Sequence, residues 1–107
     1  MILKELLERS EYTLVQGSED VEISTLVYDS RKIEKGSVFV CISGAVSDGH
    51  TYIEQVAEKG AAAVIVEKDV EAPEGLTVIK VKDTRYALAL ISAAYFDYPA
   101  RKLKVIG

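Results

Sequence analysis

Val38-Phe39-Val40-Cys41-Ile42, then Thr51-Tyr52-Ile53-Glu54-Gln55-Val56-Ala57-Glu58-Lys59-Gly60, then Ala61-Ala62-Ala63-Val64-Ile65-Val66-Glu67 decide the fold. The first run is continuously apolar and β-branched, as a strand covered on both faces requires. In the second, Tyr52, Ile53, Val56 and Ala57 recur at helical spacing, and Gly60 supplies a stop. Thr51 followed by Glu54 has the form of a capping box, which satisfies two helix amides. The third run is another buried strand. Strand, helix and strand at this spacing predict a mainly parallel sheet with helices on its faces.

The same logic extends in both directions. Residues 76–81 read as a further buried strand, after a surface loop at 69–75 that contains Pro73. Asp83 is placed to cap a long helix over 84–97, where Ala87, Leu90, Ile91, Ala94 and Tyr95 keep helical spacing. Pro99 ends it, and 102–106 reads as a last strand. Upstream, Val21 and Ile23 alternate with polar neighbours, so 21–28 predicts a half-exposed strand between turns at 17–20 and 31–36. Residues 1–9 predict a helix with Ile2, Leu3, Leu6 and Leu7 on one face. The expected fold is therefore α/β: one domain over 1–107, a mainly parallel sheet of four to five strands, and flanking helices.

Composition narrows the function. The chain has 107 residues and a net charge of −4, without a long basic stretch. Nucleic acid is thus a poor partner, because its binding rests on clustered Lys and Arg. The apolar runs fall well short of the ~20 residues of a membrane span, and 1–9 mixes charges among its apolar positions, unlike a signal peptide. A cytoplasmic location is the default expectation. The single Cys41 lies inside an apolar strand and reads as a core residue in a reducing compartment.

Two segments carry candidate chemistry. Tyr28-Asp29-Ser30-Arg31 falls where a strand ends. Ser30 and the backbone there can recognise a polar ring edge, and Arg31 can pair with a carboxylate or phosphate. Alternatively, Asp29 and Arg31 form a local turn and ion pair, a common arrangement at strand ends. Gly44-Ala45-Val46-Ser47-Asp48-Gly49-His50 is a Gly-containing loop opening a helix, suited either to an anion or to an ordinary connection. It matches neither the dinucleotide fingerprint nor the Walker loop. His50 is the sole histidine, too few ligands for a metal site. The scattered Asp and Glu residues form no pair spaced for acid–base chemistry.

Together, Tyr28-Asp29-Ser30-Arg31, Gly36-Ser37-Val38-Phe39-Val40, Asp48-Gly49-His50-Thr51-Tyr52-Ile53, Gly60-Ala61-Ala62-Ala63-Val64 and Leu103-Lys104-Val105-Ile106-Gly107 resemble the N-terminal domain of the Mur ligases. Within that family the chain is most similar to the branch that adds the third amino acid of the peptidoglycan stem. The resemblance implies a piece of a longer cytoplasmic ligase that uses ATP and magnesium to activate a UDP-muramoyl peptide as an acyl phosphate. It implies that this piece grips the uridine end, holds no cofactor and no catalytic residue, and works with the remaining domains of the same polypeptide. Ser30 falls on the family serine that contacts the uridine diphosphate. Tyr28 falls on a neighbouring contact made through backbone, and Ala45, Val46 and Ser47 fall on the bordering loop. Arg31, Asp48 and His50 complete the expected substrate-binding set. Relatives often carry His, Asn or Gln early in that loop, so Ala45 and Val46 leave backbone amides as the contacting groups. The related domain of the D-alanyl-D-alanine-adding branch is the close alternative. A receiver-like signalling domain built on Asp29, Asp69 and Lys80 is the alternative from another class.

Overall fold

Side-chain alternation along two central strands builds the molecule. In the computed structural model, which describes residues 2–8, 10–42 and 49–93 (backbone alone at Ser30, Gly49 and His50), β3 is Ser37–Val40 and β4 is Ala63–Val66. Both are buried at every position. They sit inside a five-stranded sheet with β1 (Thr13–Gln16), β2 (Thr25–Val27) and β5 (Thr77–Lys80), in the order β1-β5-β4-β3-β2. β2 to β5 are parallel, and β1 runs antiparallel along the outer side of β5.

The register places Phe39 beside Val64 and Val64 beside Val78 in one row, and Val40, Ile65 and Ile79 in the next. Successive rows point to opposite faces. One face packs Val38, Val40, Ala63, Ile65 and Ile79 against Leu3 and Leu6 of α1 (Leu3–Leu6), Leu7, and Ala87 and Ile91 of α3 (84–93). The other packs Phe39, Cys41, Val64, Val66 and Val78 against Ile53 and Val56 of α2 (Ile53–Glu58). Each fully buried aliphatic or aromatic side chain contributes about 1.5–3 kcal/mol. These rows outweigh any surface contact, which is why the central strands were legible from composition.

The α/β expectation and the parallel sheet hold, with differences at the margins. β1 was not expected: it is short and mostly exposed, and it joins the sheet by pairing with β5. The strand expected over 21–28 is confined to Thr25–Val27 because the N-terminal segment takes the backbone before it. Leu3 N–H donates to Val21 O at 2.8 Å, and Ile2 bridges Glu22. That bridge holds Ile2 extended, so the helix expected over 1–9 is α-helical only from Leu3 to Leu6. α2 begins later than the Thr51–Glu54 pattern suggests, at Ile53. A 3-10 turn, Gly49–Tyr52, precedes the helix, and the capping position falls to Tyr52, whose side chain makes no cap bond. The strand expected at 102–106 and the stop at Pro99 lie outside the described residues.

The link from β4 to β5 carries no helix. The Gln16 amide of β1 pins it instead, donating to Pro73 O and Leu76 O, each at 2.8 Å. Next to it Gly17 has φ +82°, and a Cβ there would collide with Thr77 of β5, so the residue must be glycine.

Candidate functional site

Ligands of parallel sheets bind outside the carboxyl ends of the strands. Here the opposite, amino edge is closed by backbone packing: Gly36 N–H donates to Gly60 O at 2.8 Å, and Ser18 meets Thr77. The carboxyl edge collects the polar residues, with Tyr28 to Arg31 after β2, Glu67 to Asp69 after β4, and Lys80 to Thr84 ending and following β5.

The end of β2 turns sharply. Asp29, itself extended, caps a 3-10 turn over Ser30–Lys32. Its Oδ1 accepts the Arg31 backbone N–H at 3.0 Å and Arg31 Nε at 3.1 Å, while Oδ2 accepts Nη2 at 2.9 Å. The Arg31 side-chain bonds, aided by its backbone N–H, lower the Asp29 carboxyl from the ordinary carboxylate value to about 2. The same bonds raise the Arg31 guanidinium. Val27 before the turn and Ile33 after it pack on the second core, so the exposed turn is anchored at both ends. The local ion pair therefore forms. It engages two of the guanidinium donors and leaves three, on a side chain 85% exposed. Tyr28 is also largely exposed, at 67%.

The end of β5 repeats the pattern. Asp83-Thr84-Arg85 echoes Asp29-Ser30-Arg31, and Asp83 Oδ1 accepts the N–H groups of Arg85 at 2.9 Å and Tyr86 at 3.2 Å. The expected cap of α3 is thus in place. Thr84 is fully buried, and its N–H and hydroxyl both donate to Glu67 Oε1. The repeat is visible in the sequence; the Glu67 acceptor, 17 positions earlier, is not.

Of the expected binding residues, the structure gathers Tyr28, Ser30 and Arg31 on one turn at the carboxyl edge. Ala45, Val46, Ser47 and Asp48 lie outside the described residues. His50 lies in the turn that opens α2. Gly60, just past the end of α2, bonds at the amino edge, so the helix begins toward the carboxyl edge. A cavity of about 390 Å³ lined by Ser10, Lys82, Tyr86 and Leu90, among others, lies at the β5 end and away from the Tyr28–Arg31 turn.

A receiver-like arrangement is absent. Asp69 pairs with Lys80 at 2.6 Å, which lowers its carboxyl, but β3 separates the ends of β2 and β4 and so keeps Asp29 apart. Glu19 and Asp20 follow the turn at Gly17 and Ser18, which meets the amino end of β5 on the opposite edge. No group of three or more metal-ligating side chains occurs among the described residues. The sequence also lacks the glycine-lysine loop that cradles nucleotide phosphates. The described residues do not fit ATP or its metal.

Comparison with known proteins agrees with this geometry. The family described as "Mur ligase family, catalytic domain" matches residues 22–96. The UDP-N-acetylmuramoyl-L-alanyl-D-glutamate–2,6-diaminopimelate ligase of Clostridium perfringens (strain 13 / Type A) is 48% identical over the whole chain, which spans 22% of that protein. Among solved structures, MurF from Acinetobacter baumannii (crystal structure II) superposes with a TM-score of 0.76 and 28% identity, over 92% of this chain and 21% of that one. MurF ligase from Thermotoga maritima in complex with ADP gives a TM-score of 0.54 and 27% identity, over 66% and 16%. With its fold matched by solved structures and its whole length by a relative, the chain belongs to the Mur ligase family and corresponds to that family's N-terminal domain.

Proposed function

We propose that this chain grips the uridine end of UDP-N-acetylmuramoyl-L-alanyl-D-glutamate for a ligase that joins 2,6-diaminopimelate to it in the cytoplasm. The observation carrying this reading is the 48% identity, across every residue, to a ligase whose name states that substrate and that amino acid. The likeness to MurF structures is at 28% identity, which favours the diaminopimelate branch over the D-alanyl-D-alanine branch.

In this reading the uracil lies against the end of β2, where the capped turn fixes the backbone at Ser30 and beside Tyr28. The diphosphate lies between Arg31 and the stretch from Ser47 to His50, with backbone amides at Ala45 and Val46 completing the grip. Asp48 borders the same loop. ATP and magnesium supply carboxylate activation in the parent enzyme, on domains other than this one. The contribution of this chain is orientation: contacts far from the reacting carboxylate hold the substrate in place, so that binding energy lowers the barrier elsewhere. By itself the chain forms no amide bond.

Titration of the ¹⁵N-labelled chain with UDP-N-acetylmuramoyl-L-alanyl-D-glutamate tests the proposal. Shifts should cluster at residues 28–32 and 45–51. Perturbations confined to the amino edge, around Gly36 and Gly60, would refute it. Ligation assays on the full-length parent with diaminopimelate and D-alanyl-D-alanine then separate the two branches.

A further inference from the structure

We infer that Asp29 is a positioning residue, holding the Arg31 guanidinium so that its remaining donors face the diphosphate of the uridine ligand. The inference rests on the function proposed above and extends it to a residue that need not touch the ligand.

Three bonds converge on one carboxylate: the Arg31 backbone N–H, Nε and Nη2, at 3.0, 3.1 and 2.9 Å. An exposed arginine carries considerable rotamer entropy, which binding to an anion must otherwise overcome. Asp29 removes most of that freedom beforehand, since it grips both the backbone and the head of the same residue. Exposed ion pairs contribute little to folding, so stability is a weak reason for this geometry. The two donors used lie on one side of the planar guanidinium. The three left over are the remaining Nη2 hydrogen and both hydrogens of Nη1, a set suited to phosphate oxygens. Asp29 is the less exposed partner, at 25% against 85%, so it is the anchor and Arg31 the arm. Anchorage of the turn through Val27 and Ile33 transmits the fixed position to the sheet.

The test titrates this chain with uridine and with UDP, following amide shifts. Asp29→Asn keeps the size and an acceptor for the Arg31 N–H but removes the charge that holds the guanidinium. UDP affinity should fall about tenfold, as expected for loss of an ordered charge-assisted contact, and uridine affinity less than about twofold. In an Arg31→Ala background, Asp29→Asn should cost UDP nothing further. Equal losses for both ligands, no loss, or tighter UDP binding would overturn the inference. If the unmodified chain binds neither ligand, the proposed function fails and this inference with it. If the unmodified chain binds UDP and Asp29→Asn leaves the UDP-to-uridine ratio unchanged, only this inference fails.

Discussion

Two tripeptides, Asp29-Ser30-Arg31 and Asp83-Thr84-Arg85, leave the same edge of the same sheet with the same opening hydrogen bond and different fates. At the end of β5 the turn runs on into α3. Its middle residue is fully buried and its donors go to Glu67. At the end of β2 it stops after a single 3-10 turn, and the arginine folds back on the aspartate in solvent. The first has its polar groups satisfied internally and serves the fold. The second keeps donors facing outward at the place where parallel sheets hold ligands. Local pattern selects the turn; what it packs against decides its role.

The comparison can be broken at four points. Glu67→Ala should have the largest effect, about 2 kcal/mol of lost stability in urea denaturation, because the Thr84 N–H and hydroxyl are left buried without an acceptor. Its UDP binding at the β2 end should stay unchanged. Asp83→Ala removes the cap from α3 and should cost about 1 kcal/mol, read as an earlier thermal transition. Asp29→Ala, the matching change at the other turn, should leave the thermal transition almost unmoved, since the pair is exposed. A loss as large as that of Glu67→Ala would erase the distinction between the two turns.

The last expectation concerns acid. Asp29 is lowered by its Arg31 bonds to about 2, so the folded state favours its ionised form. The stability it contributes is present above the ordinary carboxylate value, near 4, and is lost as pH falls through about 2. Carboxyl ¹³C chemical shifts should show Asp29 still ionised at pH 3. A midpoint at the ordinary value would mean that the pair does not form in solution.

Much of this was legible beforehand, for physical reasons that differ by element. β3 and β4 announce themselves through unbroken apolar runs because both faces are buried, and β5 through Leu76, Val78, Ile79 and Val81 around two polar positions. α2 and α3 show as helical spacing, and Asp83 as a cap that the structure forms. β1 was hidden, since Thr13–Gln16 is short and exposed, and its strand character comes from pairing with β5 rather than from its own residues. Val21 to Ile23 look like strand but are claimed by the N-terminal segment, a competition only tertiary contact decides. Tyr28, Ser30 and Arg31 lie at a strand end as expected, and the ion pair with Asp29 forms. The guanidinium makes the pair and retains donors. The loop residues from Ala45 to Asp48 rest on family resemblance.

The outer strand has one more implication. β1 changes register between Leu14 and Gln16, and the glycine after it turns the chain sharply away. Irregularities of this kind spoil the flat row of amides and carbonyls that another polypeptide would need for docking strand to strand. That side of the sheet is thereby protected from adding foreign strands and from seeding fibrils.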